Sequence, residues 1–453
     1  MFLGVPELTP ACWSQAGEIP SGRKEGDCDQ HHCRVYHHEY TPIAGALVHS
    51  NQMDSRRKFL GRVASGLAGT LAAVPARALG SSDRIRVGII GVGDRGLELL
   101  NQIRACDNAE VVGFADIYSK RLEKAASFAP NATTFSDSRR LLDDSSIDAI
   151  VIATPPHLHA EQFSAALDAG KHVYQEKTLA NTVDQAKRMR ASYLKDRSKH
   201  VVQVGHQACS FGHLSDVEQF LTPPDRIGKV SALVMRNYRN TPRGKAQWAR
   251  PALLTSDVNP QNVDWDAFAT GAFDANRFIH WRYFWDYSGG NVSENMSQQL
   301  AFWYRALQLQ IPQSATMSGG IYLWDDGRET PDTMDVSLEQ PEHMLVSWSS
   351  GFGNNQLGVT EDLLGSHGTI SRGNHVRYTP QKINRPDDSE RMGRAGHVPH
   401  AHMENFFDSI RTSREPNCPF EVGYRVTVAC IMAVESYRTG RTVRWNAETE
   451  EFV

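Results

Sequence analysis

An apolar run followed by a glycine-rich turn constrains this chain more than any other feature. Residues 85–90 read Ile-Arg-Val-Gly-Ile-Ile, which is typical of a buried parallel strand. Gly91, Gly93 and Gly96 follow at the spacing G-x-G-x-x-G, and leucines at helical spacing come next. Such glycines permit a tight turn, a close approach of a pyrophosphate to the backbone, and close packing of helix on strand. The stretch therefore predicts a strand, a phosphate-binding turn and a helix.

The next strand ends in an acidic residue, which supports a dinucleotide. The run Glu110 to Ala115 is followed by Asp116, 20 residues after Gly96. A carboxylate at this place accepts the hydroxyls of the adenosine ribose and repels a 2′-phosphate, so NAD is favoured over NADP. Two nearby cations, Lys120 and Arg121, weaken that preference. The alternative is a βαβ unit that binds no nucleotide and has an ordinary glycine turn.

Length and charge limit the classes of protein that remain. A chain of 453 residues with a formal net charge of −4 favours two soluble domains and argues against nucleic acid as a partner. The spacing of the His, Cys and Asp residues after residue 78 does not match a metal site. Upstream, Cys28 and Cys33 flank a His pair, but the spacing fits no standard zinc finger.

The first part of the chain differs from the rest. Residues 1–52 lack periodicity and are predicted to be a disordered or untranslated extension. Met53 begins a segment in which Ser-Arg-Arg-x-Phe-Leu resembles a twin-arginine export signal, and a small-x-small site ends at Ala78. An N-terminal amphipathic helix is the alternative. The signal over 53–78 predicts the translocation machinery as a partner, a periplasmic or extracytoplasmic location, and a cofactor loaded before export and held tightly.

The remaining chain divides by pattern into two domains. Strands and helices alternate over 83–205, which predicts an α/β fold with a doubly wound parallel sheet. Over 206–446 strand-like runs separated by turn residues predict an α+β domain with a largely antiparallel open sheet. One of those strands is expected at 321–324, and 374–398 is expected to be a long loop. In the first domain Ser136 is expected to cap one helix, and Asn181 or Thr182 is expected to begin another.

Several motifs in order resemble the Gfo/Idh/MocA oxidoreductases, and the resemblance covers nearly all of 84–446. The motifs are Gly91-Val92-Gly93-Asp94-Arg95-Gly96, Ala153-Thr154-Pro155-Pro156-His157-Leu158-His159, Glu176-Lys177-Thr178 and His402-Met403-Glu404-Asn405-Phe406. The resemblance implies a Rossmann domain, a sheet domain often used for oligomerisation, and NAD(P)-dependent chemistry on sugars or related polyols. A carbohydrate substrate and a homo-oligomer are therefore expected.

The resemblance also assigns roles to residues. The family's Glu-Lys-Pro lysine matches Lys177, which implies contact with the substrate hydroxyl and help in proton transfer, although Thr178 replaces the proline. His157 and His159 are expected to flank the nicotinamide. The predicted cofactor-binding residues are Gly91, Gly93, Asp94, Arg95, Gly96, Asp116, Thr154, Pro155, His157, His159, Glu176 and Lys177.

The chain departs from the family in its second domain. The family's Asp-x-x-x-His helix places both side chains on one face, and here those positions are Glu294 and Gln298. Glutamine cannot take a proton, so the usual base is absent. Glu294, or another group such as His280, Tyr283 or Lys177, takes over as base, or hydride chemistry is lost. Lys177, Glu294 and Gln298 are the predicted catalytic set.

Three functions are consistent with these residues. The first is an NAD-dependent oxidoreductase that acts on a sugar, polyol or glycoside hydroxyl with a recycling cofactor. The second is a glycoside hydrolase that oxidises its substrate transiently, eliminates the aglycone, adds water and re-reduces the product. The third is a sugar-binding protein that kept the fold and lost the chemistry.

Overall fold

A computed structural model describes the chain from residue 84 to its end, with short gaps. The predicted extension, 1–52, and the predicted export signal, 53–78, lie outside the described residues. Within the described part, no helix is long and apolar enough to cross a membrane. The described residues are 84–453 without 224, 242–245, 250–254, 397 and 399.

The first domain is a six-stranded parallel sheet with the strand order β3-β2-β1-β4-β5-β6. The doubly wound α/β prediction is confirmed. Its central strands are buried on both faces, which is why they read as continuous apolar runs. The strands are β1 Ile85–Ile90, β2 Ala109–Ala115, β3 Thr133–Phe135, β4 Ala149–Ile152, β5 His172–Gln175 and β6 Val202–Val204. The helices are α1 Asp94–Arg104, α2 Ser119–Phe128, α3 Ser138–Leu142, α4 His159–Asp168 and α5 Val183–Asp196.

Side-chain caps start two of these helices. Thr182 and Gln185 form a capping box at α5, at a position where the sequence predicts either Asn181 or Thr182 as the cap. Asp137 caps α3 by accepting from the Arg139 backbone N–H, whereas the sequence predicts Ser136. The carboxylate one residue later satisfies the helix donors, so the prediction for α3 is wrong by one residue.

The second domain is built on a ten-stranded sheet with the order β14-β13-β12-β11-β7-β10-β9-β8-β15-β16. One neighbouring pair, β7 with β10, is parallel and the other strand pairs of the described sheet are antiparallel, so the expected sheet type is confirmed. The strands are β7 Val230–Tyr238, β8 Ser314–Gly320, β9 Thr333–Gln340, β10 Met344–Gly351, β11 Val359–Gly365, β12 Gly368–Arg372, β13 Val376–Pro380, β14 Arg391–Met392, β15 Val443–Asn446 and β16 Glu451–Phe452. The helices are α6 His213–Leu221, α7 Ala275–Ile279, α8 Ser297–Leu307, α9 Ala401–Thr412 and α10 Phe420–Thr439.

Helices α8 and α10 cover one face of this sheet. Trp303 of α8 and Met432 of α10 share a core with Met235, Val336 and Trp348 of the strands. Burial alternates along β9, as expected for a strand with one face against a core and one face toward solvent. This packing fixes the segment just before α8, which contributes to the candidate site.

Two expectations about the second domain are wrong. Residues 321–324 are a loop beyond β8, and the Asp332 carboxylate accepts backbone N–H groups of Tyr322, Leu323 and Trp324. The side chain supplies the acceptor that a neighbouring strand would have supplied. Residues 374–398 contain strands β13 and β14, which the polar composition of that stretch does not reveal. Strand β13 pairs with β12 and with β14, and β14 is the edge strand.

Helix α9 returns to the first domain. Met403, Phe406 and Phe407 lie in one core with Leu99 and Leu100 of α1. His402 fixes this helix to the sheet, since its ring contacts the Val204 carbonyl through Nε2 at 3.0 Å. The motif at 402–406 therefore packs against the Rossmann domain and not against the second sheet. It does so although His402 lies 198 residues after its partner Val204 in the sequence.

Candidate active site at the carboxyl ends of the parallel strands

The glycine turn has the shape that a dinucleotide needs. Gly91 has a φ of +86°, which a residue with a side chain rarely adopts. A Cβ on Gly96 would lie 2.0 Å from the Gly91 carbonyl oxygen, so only glycine lets α1 approach the turn. A Cβ on Gly93 would meet only the Arg121 guanidinium, at 3.7 Å. The turn and the start of α1 fit a pyrophosphate.

Asp116 lies directly beside this turn. Its carboxylate accepts from the backbone N–H of Val92 at 2.8 Å and of Tyr118 at 2.9 Å. Each carboxylate oxygen keeps a further lone pair for a ribose hydroxyl. Arg121 lies 3.8 Å from the same carboxylate. The residues present thus fit the adenosine half of NAD, and Arg121 reduces the negative charge that Asp116 presents.

Arg95 makes contacts with two carboxylates of the protein. Its guanidinium contacts Glu176 through Nε and Nη2, each at 2.7 Å, and Glu98 at 2.7 Å. Glu176 follows β5 directly, so Arg95 joins the start of α1 to the residue before Lys177. We therefore describe Arg95 and Glu176 as positioning residues, and their predicted contact with the cofactor stays a prediction.

Lys177 and Glu294 meet across the two domains. Lys177 Nζ lies 3.2 Å from Glu294 Oε2 and donates to the Glu294 carbonyl oxygen at 3.3 Å. Arg282 Nε donates to the same Oε2 at 3.0 Å. The Lys177 and Glu294 side chains are only 10% and 11% exposed. The sequence places Lys177 and Glu294 in one site, and the structure adds Arg282 to them.

Two cations determine the protonation state of Glu294. Burial alone would raise the pKa of this carboxyl, but attraction to Arg282 and Lys177 outweighs burial and holds the pKa at about 2. Glu294 is therefore ionised at neutral pH and has little affinity for a proton. The geometry supports an orienting and electrostatic role for Glu294 more than the role of a base.

Gln298 does not join this cluster. Residues Val292–Met296 form a π-helical turn, so a spacing of four residues no longer places two side chains on one face. Glu294 is nearly buried whereas Gln298 is exposed in the first turn of α8. No hydrogen bond joins Gln298 to Lys177 or Glu294, all of which are described. The predicted polar face shared by Glu294 and Gln298 is not formed.

The histidines after β4 are held by backbone carbonyls. His159 is fully buried, and its ring nitrogens lie 2.8 Å from the carbonyl oxygens of Thr154 and Thr178. Burial lowers the pKa of His159, so the neutral ring donates to one of these carbonyls at a time. His157 Nε2 contacts the Phe268 carbonyl at 2.8 Å. These contacts connect the β4 turn, with Pro155, to the Lys177 loop and to the second domain.

A match to a family model decides the class of the first domain. The model described as "Oxidoreductase family, NAD-binding Rossmann fold", GFO_IDH_MocA, matches residues 85–206. Over these residues the chain is similar to the NAD-binding domain of that family. The cofactor prediction, NAD, is confirmed, and the glycine turn and Asp116 are the parts of this chain that fit it.

Relatives of known activity match the same part of the chain. An inositol 2-dehydrogenase/D-chiro-inositol 3-dehydrogenase of Lacticaseibacillus casei is 36% identical over 123 residues, 27% of this chain and 35% of that enzyme. A glycosyl hydrolase family 109 protein of Shewanella is 30% identical over 112 residues, 23% of this chain and 24% of that protein. The matched segment thus spans about a third or less of the length of these relatives.

Solved structures resemble this chain over both domains. A levoglucosan dehydrogenase in complex with NADH and levoglucosan superposes with a TM-score of 0.63 at 19% identity, covering 80% of this chain and 99% of that enzyme. A probable dehydrogenase of Thermotoga maritima gives a TM-score of 0.58 at 17% identity, covering 79% and 98%. At this identity the likeness establishes the two-domain fold alone.

The structure places two further residues, Arg282 and His206, near Lys177. Arg282 carries no motif, and the only sequence signal is a cation between the aromatic residues Trp281 and Tyr283. His206 is fully buried directly after β6, and neither ring nitrogen has a hydrogen-bond partner among the described residues. Burial, together with the neighbouring Lys177, lowers the pKa of His206 to about 3, so this ring is neutral.

The remaining candidates do not form a further centre. His402 contacts Ser210 Oγ through Nδ1 at 2.6 Å and lies in the packing of α9. The cysteines of the described residues, which are Cys106, Cys209, Cys418 and Cys430, are buried free thiols. Within the described residues there is no group of three His, Cys, Asp or Glu side chains that could hold a metal ion.

Proposed function

We propose that the protein is an NAD-dependent oxidoreductase that acts on a hydroxyl of a sugar, polyol or glycoside. One observation carries this proposal. Lys177, at the carboxyl end of β5, contacts Glu294 of the second domain next to the dinucleotide turn. In an open parallel sheet, ligands bind outside the carboxyl ends of the strands. A polar pair from both domains at that edge is suited to a polyhydroxylated substrate.

The roles of the residues follow from their contacts. Bound NAD supplies the hydride acceptor or donor. Lys177 is an ammonium in the resting cluster, hydrogen-bonds to the reacting oxygen and gives it a proton during reduction. During oxidation the ammonium first loses a proton to solvent, and the neutral amine then takes the proton of the hydroxyl. Glu294 stays ionised and orients the Lys177 side chain through a charge-assisted hydrogen bond. Arg95 and Glu176 fix the backbone before Lys177, and His159 holds the loop after it.

A kinetic comparison tests this proposal. NADH formation is measured with a panel of sugars, polyols and glycosides, using the wild-type protein and Lys177→Ala. We expect a fall of about 10²–10⁴-fold in the rate for the variant, which is typical for loss of an acid–base group. Unchanged turnover in a folded, NAD-binding variant would refute the assignment of Lys177.

The glycoside hydrolase remains the second candidate. The relative from Shewanella that is named a glycosyl hydrolase family 109 protein favours it. This enzyme would release free sugar from a glycoside with no net NADH. Chromatography of the products together with absorbance of NADH separates the two activities. Release of sugar without NADH supports the hydrolase, and NADH without release supports the oxidoreductase.

A sugar-binding protein without chemistry is the third candidate. Gln298 in place of the family histidine and Thr178 in place of the family proline favour it. It predicts that Lys177→Ala changes neither product formation nor the redox state of the cofactor. Any substrate-dependent redox change that the variant abolishes would rule this candidate out.

Export with a preloaded cofactor belongs to the same proposal. The twin-arginine pattern at Arg56 and Arg57 supports transport of the folded protein, with NAD bound in the cytoplasm. The translocation machinery is then a partner. Cell fractionation of the wild-type protein and of R56K/R57K tests this, since the variant is expected to stay in the cytoplasm. Equal distribution of both proteins would contradict export by this route.

Assembly into a homo-oligomer is the last part of the proposal. The solvent-facing side of β9, with Asp335 and Glu339 exposed, is available for contact with a second copy. Light scattering of the purified protein gives its mass. A monomer at micromolar concentration would contradict this part and leave the catalytic proposal intact.

A further inference from the structure

The cluster around Glu294 has an excess of positive charge. Lys177 Nζ and Arg282 Nε lie 3.2 and 3.0 Å from the same oxygen, Oε2, of Glu294. Glu294 is ionised because its pKa is about 2. Two cations therefore share one carboxylate, and the cluster carries one uncompensated positive charge.

Neighbouring charges do not cancel this excess. Arg277 pairs with Asp286 at 2.6 Å and with Glu329 at 3.6 Å. Arg328 pairs with Asp326 at 2.7 Å. Asp286 and Glu329 share one arginine, but these carboxylates are 71% and 39% exposed, so water screens their excess negative charge. An anion beside Lys177 and Arg282 thus meets a local positive field, because the Glu294 cluster is largely buried and screened less than the exposed acids.

Arg282 is held in place by aromatic and backbone contacts. Its guanidinium carbon lies 4.0 Å from the centre of the Trp281 ring. The segment around it is fixed, because the Tyr283 carbonyl accepts from Glu329 N at 2.8 Å and the Trp285 carbonyl accepts from Asn181 Nδ2 at 2.8 Å. Arg282 is therefore a preorganised cation.

The terminal nitrogens of Arg282 remain available. Its Nε is used by Glu294, and neither Nη1 nor Nη2 makes a hydrogen bond to another residue of the described ranges. The side chain is 20% exposed, so solvent or a ligand reaches it. A planar guanidinium with two parallel N–H donors matches a carboxylate in a bidentate pair, whereas lysine offers only a point charge.

We propose that the substrate is a sugar acid, and that Arg282 binds its carboxylate while Lys177 contacts the hydroxyl that reacts. The assignment rests on the proposed function, since it places the substrate at Lys177. A monoanion matches the single uncompensated charge better than a dianionic phosphate. Glu294 Oε1 has no hydrogen-bond partner among the described residues, and it accepts a further hydroxyl of the sugar ring.

Calorimetry with matched sugars tests the proposal independently of turnover. The NAD-loaded protein is titrated with glucose and glucuronate, with galactose and galacturonate, and with glucose 6-phosphate. We expect each uronate to bind about 10- to 100-fold more tightly than its neutral partner, as a charge-assisted bidentate pair provides. The preference decreases as salt is added, because the attraction is screened.

Variants of Arg282 identify the group responsible. In Arg282→Gln the preference for uronates falls to about threefold or less, while Arg282→Lys retains part of it. The matched control is Arg190→Gln, because Arg190 also pairs with carboxylates, Glu421 and Glu450, and also lies over an aromatic ring, that of Tyr424. None of these contacts of Arg190 involves Lys177 or Glu294. The control variant is therefore expected to keep the full preference for uronates.

The outcomes separate this inference from the proposed function. Equal affinity for neutral and acidic sugars, an unchanged preference in Arg282→Gln, or a stronger preference for glucose 6-phosphate overturns the sugar-acid assignment. If neutral sugars still reduce the bound NAD in those cases, the proposed function stands. If no sugar binds and none reduces NAD, both fail.

Discussion

Replacing Glu294 by glutamine is the perturbation whose effect the structure predicts in most detail. The variant keeps the size of the side chain and removes the negative charge between Lys177 and Arg282. The pKa of Glu294 falls from 4.5 to about 2 on folding. Each pKa unit corresponds to about 1.4 kcal/mol, so the ionised carboxylate contributes about 3 kcal/mol to the free energy of unfolding at pH 7. Loss of one partner of a buried ion pair costs a similar amount.

The sign of the pH dependence follows from the depressed pKa. The contribution is complete above the unfolded pKa of 4.5 and is lost as the pH falls toward about 2. At pH 3 the difference between wild type and Glu294→Gln should be about half its value at pH 7. In strong acid the wild-type carboxyl is protonated, and the two proteins become equivalent.

Urea unfolding followed by tryptophan fluorescence measures this difference at several pH values. Both proteins are compared in the same nucleotide-bound state. The control is Glu421→Gln, which removes a carboxylate from a pair with Arg190 that is 36% and 29% exposed. An exposed pair contributes about 0–1 kcal/mol, so this control should change stability little. Equal stability of Glu294→Gln and wild type at pH 7, or a difference that stays constant to pH 3, would refute the reasoning.

Three further predictions concern the cofactor and the reaction. Lys177→Ala should lower substrate-dependent NADH formation by about 10²–10⁴-fold and leave NAD affinity within about threefold by fluorescence titration, and equal losses in both would contradict a role in chemistry. Gly96→Ala should weaken NAD binding at least about 10-fold in calorimetry, because its Cβ would lie 2.0 Å from the Gly91 carbonyl oxygen. Asp116→Ser should shift the ratio of NADP to NAD affinity toward NADP by about 10-fold, because Arg121 then faces a 2′-phosphate without the opposing carboxylate, and an unchanged ratio would contradict that role for Asp116.

The first domain could be predicted from sequence because its signals are local. Residues 85–96 contain the strand, the turn and the start of the helix, and each glycine has a steric reason for its place. The alternation of strands and helices then determines a parallel sheet. The prediction for the cap of α3 failed by one residue, since Ser136 and Asp137 both suit a cap and only the folded geometry decides between them.

The site was predicted only in part because its geometry depends on contacts between domains. Lys177 and Glu294 were both identified, but the ion pair that sets the protonation state of Glu294 includes Arg282, which carries no motif. The family resemblance assigns Gln298 to the site, and an α-helical spacing of four residues predicts that it shares a face with Glu294. The π-helical turn at Val292–Met296 changes that spacing, and its hydrogen-bond pattern depends on packing that no local composition reveals.

Secondary structure in the second sheet also depends on contacts with residues outside the segment itself. Residues 321–324 have the composition of a strand, yet the Asp332 carboxylate binds three of their backbone N–H groups and holds them as a loop. Strand β14, Arg391–Met392, is short, polar and at the sheet edge, so no alternation of apolar and polar residues marks it.

The redox state of the bound cofactor tests the central claim most directly. The NAD-loaded protein is incubated with a panel of uronates, neutral sugars and glycosides, then denatured, and the released nucleotide is identified by mass. We predict that at least one sugar converts NAD to NADH, and that Lys177→Ala prevents this conversion. A protein that binds NAD but leaves it unchanged, with every sugar unaltered, would contradict the claim that this site carries out hydride transfer.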